Sequence, residues 1–301
     1  MSTDTTTRPR GGWGEVLLTA LAPVIWGTTY IVTTELLPPG KPFTAALLRV
    51  LPAGLLLVAW TRCRPGPSAL LKLLALGALN ITVFQALLFV AAYRLPGGLA
   101  AVLGAIQPLI VMALIWAFDS RKPRIFAVLA ASMGIVGMVM LLLAPGARWD
   151  AIGVLAALAG AVCMAVGTWL IQRWRLPMPV LALTGWQLLL GGLLLLPLVL
   201  AGEGWPAAMT PRHLLGYGYL CLFGAVISYA LWFRGLTRLS PVAVASLGLL
   251  SPLSAVLIGW IWLGEAMRGW SMLGMVTVLA SVIAVQRAMR DLRLPATEPQ
   301  R

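Results

Sequence analysis

Residues 94–109 read RLPGGLAAVLGAIQPL, and residues 238–253 read RLSPVAVASLGLLSPL. A shift of 144 positions lays Arg94 on Arg238, Leu95 on Leu239, Ala101 on Ala245, Gly104 on Gly248, Pro108 on Pro252 and Leu109 on Leu253. The likeness extends outward over residues 83–136 and 227–280, where Arg124 falls on Arg268. Both copies are strongly apolar and far too long for one helix. An internal repeat of membrane-spanning units marks a chain whose two halves enclose a site between them.

Composition points the same way. Hydrophobic residues make up 60% of the chain and charged residues 10%, well outside the soluble norm. The apolar runs are about 20 residues long, enough to cross roughly 30 Å of hydrocarbon. Little of the chain is left for loops, so no soluble domain is expected. The net charge of +13 suits short loops that bind anionic headgroups and fix orientation. Nucleic-acid binding is not expected, because no basic patch carries interleaved aromatic residues.

Ten spans are expected, at about 16–36, 42–60, 70–92, 98–118, 124–143, 152–172, 180–200, 213–233, 241–262 and 269–287. Pro38-Pro39-Gly40, Pro65-Gly66-Pro67, Pro96-Gly97-Gly98, Pro145-Gly146 and Pro177 punctuate them. With the N-terminus inside, the outer loops carry only Lys41, Arg94, Arg148, Arg212 and Arg268. Arg49 lies within a span, and the rest of the 22 basic residues fall on cytoplasmic segments. That bias satisfies the positive-inside rule and places both termini in the cytoplasm. The reading is a multi-pass protein of the inner (plasma) membrane. Residues 1–15 are expected to form a disordered cytoplasmic tail, and 288–301 a second tail. A cleavable signal peptide fits poorly, because the first apolar run is too long and carries Trp26, Thr29, Tyr30 and Thr33.

The repeat continues on a second register. Ala53-Gly54-Leu55-Leu56-Leu57 stands 138 residues before Gly191-Gly192-Leu193-Leu194-Leu195, and Arg49 then matches Gln187. The units are 16–143 and 152–287, five helices each. Five is odd, so the second enters the membrane from the opposite side. The expected fold is an all-α integral membrane protein, ten transmembrane helices in a 5+5 inverted-topology repeat.

Other chemistry finds no support. Cys63, Cys163 and Cys221 have no metal spacing, and His213 has no Cys or His partner nearby in sequence. No GxxxxGK[ST] loop occurs, which excludes nucleotide-driven transport on this chain. No nucleophile–base pair suggests an enzyme. Neither a metal nor a cofactor is called for.

Several motifs carry a family likeness. They are Trp26-Gly27 in the first helix, Arg49 in the second, Leu239-Ser240-Pro241 leading to Leu250-Ser251-Pro252, and Trp262-Leu263-Gly264-Glu265 closing the ninth. With the five-plus-five arrangement, the chain resembles the drug/metabolite transporter superfamily in its EamA-like branch, from about Val16 to Arg287. The first half departs from the last motif, with Asp119-Ser120-Arg121 where Leu-Gly-Glu would stand. The resemblance implies movement of small metabolites, often amino acids or drugs.

A carrier needs polar side chains near the midplane. Trp26, Thr29, Tyr30 and Thr33 lie on one helical face. Asn80, Thr82 and Gln85 cluster in the third span, and Thr184, Trp186 and Gln187 in the seventh. Ser228 and Tyr229 lie deep in the eighth. Arg49 is the one basic residue well inside a span, about 10 Å from its outer end. These residues are the cavity candidates. The competing reading is interhelical hydrogen bonding, or for Arg49 snorkelling to the interface. Pro108 and Pro252 are hinge candidates, with a static kink as the alternative. Gly153, Gly160 and Gly167 repeat every seven residues and are expected to permit close helix packing. No carboxylate lies mid-span, which leaves Glu35 and Glu265 for ion coupling. The expected function is export of small metabolites such as amino acids by alternating access, facilitated or weakly proton-coupled. A non-transporting membrane scaffold is the alternative, and it would have a fully apolar interior.

Overall fold

The computed structural model describes residues 12–95, 102–142, 150–205, 208–263 and 269–290. Among the described residues, ten helices are long and apolar enough to cross a membrane. The uninterrupted ones are α1 (Trp13–Leu36), α2 (Pro42–Thr61), α5 (Ile125–Leu142), α6 (Ala151–Trp174) and α10 (Gly269–Arg290). Helix α3 runs Pro67–Gly77, then a π turn over Ala78–Val83, then Phe84–Arg94. Helix α8 has the same build: Pro211–Cys221, a π turn over Leu222–Ile227, and Ser228–Arg238. The two π turns are 144 positions apart, so the repeat reaches into the irregular backbone. Helix α7 (Val180–Leu198) ends in a third π turn, Val199–Glu203.

Helices α4 and α9 are broken. Helix α4 turns at Ala105–Ile106 before its long segment Gln107–Asp119. Helix α9 comprises Pro241–Leu247 and Leu250–Leu263, with a turn at Gly248–Leu249. The turns are tightened by equivalent bonds, Ala105 N–H to the Val102 carbonyl and Leu249 N–H to the Ser246 carbonyl. Pro108 and Pro252 each sit just after the break, where a missing N–H costs least. The sequence points to kinks at the prolines; the chain instead bends in the turn before each one.

Helix ends differ from expectation by a few residues for local reasons. Proline opens α2, α3, α8 and the first part of α9, its fixed φ suiting the first helical turn. Thr210 and His213 form a capping box at the start of α8. Glu203 prolongs α7 because it caps another helix. Its carboxylate accepts from Phe43 N at 2.7 Å, Thr44 N at 2.8 Å and Thr44 Oγ1 at 2.8 Å, and its carbonyl accepts from the Lys41 ammonium. A carboxylate there satisfies free N–H groups and the positive end of the α2 dipole. The tails 1–11 and 291–301, Glu265 and the side chain of Tyr30 lie outside the described residues.

The helix crossings come in exchanged pairs. Helix α2 packs along α7, where a Cβ on Gly54 would fall 2.3 Å from Leu189 N and one on Gly192 3.0 Å from Leu51 Cα. The 138-residue shift carries Gly54 onto Gly192 and Leu51 onto Leu189. Helix α5 packs along α10, where a Cβ on Gly137 would fall 2.8 Å from Val278 N and one on Gly134 2.6 Å from Ser281 Oγ. The 144-residue shift carries Gly134 onto Val278 and Gly137 onto Ser281. The contacts of α3 with α6 and of α1 with α8 exchange likewise, as do those of α4 with α6 and of α9 with α1.

The glycine stripe of α6 faces α3, as expected. Gly153 packs on Arg94 and Leu95, Gly160 on Leu87 and Phe84, and Gly167 on Asn80. Without a hydrophobic force between helices in lipid, such close approach supplies the dispersion contact that holds them together.

Candidate functional site

The π turn of α8 organises the centre of the bundle. A π turn leaves backbone carbonyls without their usual partner. Here the Gly224 carbonyl accepts from Trp26 Nε1 at 3.0 Å, Arg49 Nε at 3.2 Å and Arg49 Nη2 at 2.7 Å. Helices α1, α2 and α8 therefore meet at one oxygen. The glycine leaves room for the side chain, because a Cβ there would lie 3.3 Å from Arg49 Nε and press on the guanidinium. Arg49 Cζ also stands 5.8 Å from the Tyr229 ring centroid, within cation–π reach.

An aromatic wall adjoins this junction. Trp26 lies 5.1 Å from Tyr229 and 5.2 Å from Trp232, centroid to centroid, both tilted. Gln85 Nε2 donates to the Tyr229 hydroxyl over 3.4 Å. Gln85 and Tyr229 are 144 positions apart, so equivalent residues of the two halves touch each other. Such a contact can form only where the halves meet. Gln107 also approaches, since a Cβ on Gly248 would lie 3.8 Å from Trp232 and 3.9 Å from Gln107 Oε1. Thr29 Oγ1 and Gln107 Nε2 are buried with no hydrogen-bond partner. Each is a group that a bound solute can satisfy.

The other candidates divide differently. Asn80 Nδ2 donates to Gln187 Oε1 at 2.9 Å, and both side chains are buried. Thr184 bonds the Val180 carbonyl of its own helix. Trp186 Nε1 donates to the Cys63 carbonyl in the α2–α3 connection. Asn80 and Gln187 are the repeat equivalents of Gly224 and Arg49. One half thus carries a cation on a carbonyl where the other carries a neutral amide pair. Glu35 is exposed and pairs with Arg212 at 3.6 Å.

Sequence reasoning missed Gly224, Trp232, Gln107 and Glu203. Trp232 stands at i+3 from Tyr229, a spacing that could have found it. Nothing in the sequence marks Gly224, whose part is played by its carbonyl.

The EamA-like transporter family model matches residues 13–143 and 151–286. The chain belongs to this family. Protein PecM of Dickeya dadantii (strain 3937) is 42% identical over 267 residues, covering 88% of this chain and 90% of PecM. The uncharacterized inner membrane transporter YedA of Escherichia coli (strain K12) is 28% identical over 267 residues, covering 87% of each chain. A crystal structure with TM-score 0.78 and 20% identity covers 94% of this chain and 99% of its own, and it shows the same fold. Two of the positions compared with the family have physical reasons. Gly27 lets α1 cross α9, because a Cβ there would lie 2.5 Å from Ser254 Cβ and 2.6 Å from the Ser251 carbonyl. Where the first repeat lacks Leu-Gly-Glu, Asp119 accepts from Trp169 Nε1 at 2.9 Å and pairs with Arg173.

Proposed function

We propose that this EamA-like transporter is a non-enzymatic carrier that moves small organic solutes such as amino acids by alternating access. Its solute site lies around Trp26, Thr29, Tyr30, Arg49, Gln85 and Tyr229. The observation that carries this reading is the Gln85–Tyr229 contact between equivalent residues, beside the Arg49–Gly224 junction. A guanidinium suits a carboxylate, and the faces of Trp26 and Tyr229 suit an ammonium or a planar ring. Asn80, Thr184 and Gln187 serve packing in this reading. The exchanged crossings support an inverted repeat with units 16–143 and 152–287. The buried polar side chains count against a scaffold, whose interior would be apolar.

The site is closed toward the cytoplasm in this reading. Every residue from Pro241 to Leu247 is buried. Gln286 Nε2 donates to the Ala243 carbonyl at 2.8 Å and to Ser246 Oγ at 3.2 Å, and Gln172 Nε2 donates to the Leu236 and Leu239 carbonyls. The breaks before Pro108 and Pro252 are the hinges about which this end opens.

Transport is facilitated or at most weakly proton-coupled. A proton relay needs a titratable group that both sides reach in turn, and the carboxylate of Glu35 is at the rim. In proteoliposomes, labelled amino acids should equilibrate faster than in empty liposomes, outward when the inside is richer. An imposed pH gradient should not drive accumulation. No protein-dependent flux of any amino acid would refute the substrate class, and uphill proton-driven movement would refute facilitation. If the breaks are hinges, Pro108→Ala and Pro252→Ala should slow this flux while insertion holds; unchanged flux would leave them a packing role.

Orientation follows from charge. Arg94–Asp150 and Arg212–Glu35 join helix ends read as outer, and Arg173–Asp119 and Arg234–Glu15 join ends read as cytoplasmic. In a cysteine-less background, cysteines at Pro39 and Gly146 should label from outside, and Cys63 restored alone only from the cytoplasm. Outside labelling at Cys63 would reverse the assignment.

A further inference from the structure

Away from the central site, an open groove lies between α3, α6 and α7. It is lined by Lys72, Leu74, Ala75 and Ala78 of α3, Trp174 of α6 and Leu194 of α7. Apart from the lysine its lining is apolar. Lys72 Nζ stands 5.9 Å from the Trp174 ring centroid. Trp174 is the last residue of α6, and Lys72 lies five residues into α3, about 7.5 Å along its axis. Both therefore belong to the end read as cytoplasmic. Exposed Arg62, Arg64 and Arg175 lie at the same end. Among the described residues, no carboxylate stands within ion-pair distance of Lys72.

The repeat supplies an internal control. The equivalents of Lys72, Trp174 and Leu194 are Gly216, Leu36 and Leu56. At Gly216 the helices approach closely, for a Cβ there would lie 2.8 Å from Leu37 Cδ2 and 2.9 Å from Leu36 Cβ, whereas at Gly218, the equivalent of Leu74, nothing lies within 4 Å. No cation or large aromatic ring stands at those three positions. The pairing of a lysine with a tryptophan is therefore a feature of one end only, and the repeat does not account for it.

An occupant has to match both parts. A soluble anion has nothing to fill an apolar groove, and a phospholipid without net charge gains less from Lys72, because its own cation offsets the phosphate. An anionic phospholipid has an acyl chain for the groove and a phosphate for the ammonium. We propose that this groove binds one anionic phospholipid of the cytoplasmic leaflet, with its acyl chain along Ala75 and Ala78 and its headgroup on Lys72. The leaflet rests on the orientation proposed above; the binding itself rests on neither the transport reading nor the solute.

The test is native mass spectrometry of the full chain, released from micelles containing equal amounts of phosphatidylglycerol and phosphatidylcholine with the same acyl chains. Wild type should retain phosphatidylglycerol over phosphatidylcholine by about fivefold, the effect of one lysine at an anionic surface. Lys72→Gln should abolish that preference. Ala75→Leu, which fills the groove and keeps the lysine, should reduce retention of both lipids. Lys122→Gln, an exposed change at the same end, should leave the preference intact. Equal retention of the two lipids by wild type, or an undiminished preference in Lys72→Gln, overturns the proposal. So does equal loss in Lys122→Gln, which would mean diffuse surface charge.

Discussion

Arg49→Gln is expected to cut solute flux by roughly 10- to 100-fold, the effect of losing a charge-assisted hydrogen bond of about 1.5–3 kcal/mol. The side chain holds two donors on the Gly224 carbonyl and lies within cation–π reach of Tyr229. Its charge is held deep in a span, where an ionised group is costly and usually functional. Glutamine keeps a donor for Gly224 and removes the charge that a carboxylate would meet. Arg49→Lys should fall between, since an ammonium keeps the charge and loses the planar fork. Thermal stability after solubilisation separates a structural role from a solute-binding one. Flux near wild type in Arg49→Gln would sink the assignment of Arg49 to the solute. A loss of flux that merely tracks a loss of folded protein would do the same.

The second large effect concerns folding. Gly54→Ala should destabilise the protein by at least the roughly 1–3 kcal/mol typical of overpacking. The added Cβ would stand 2.3 Å from Leu189 N and 2.6 Å from Leu189 Cα. Backbone atoms in a packed helix cannot swing aside as a side-chain tip can, so α2 and α7 must separate. Gly218→Ala is the control, because that glycine has nothing within 4 Å. There the change should be neutral or stabilising by about 0.5–1 kcal/mol, from helix propensity alone. The readout is the fraction of monodisperse protein surviving a heat series in detergent. Equal melting of Gly54→Ala and wild type would contradict the described crossing of α2 and α7.

The span pattern was legible because it rests on long-range averages. Apolar length and turn residues record the ten helices, and the offset between Pro108 and Pro252 records the twin breaks. The central site was half legible. Trp26, Arg49, Gln85 and Tyr229 stand out as polar or aromatic groups in apolar runs. Nothing local distinguishes Gln85, which meets its repeat equivalent, from Asn80, which bonds Gln187 in a packed crossing. Both are amides of one helix separated by more than a turn, and the π turn that contains Asn80 and ends just before Gln85 changes the face each presents. A sequence wheel drawn at 100° per residue cannot register that change. Glu203 was hidden for a related reason: it sits in a π turn that prolongs α7 beyond the apolar run.

The central claim is that the Gln85–Tyr229 region lies between two halves and opens to each side in turn. Gln85→Cys in a cysteine-less background, labelled with a membrane-impermeant thiol reagent, tests it without knowledge of the solute. Labelling should occur in right-side-out vesicles and in inside-out vesicles alike, and on the inner side it should be the slower, given the buried Pro241–Leu247 segment. Labelling from one side only, or from neither, in protein that remains folded would contradict the account.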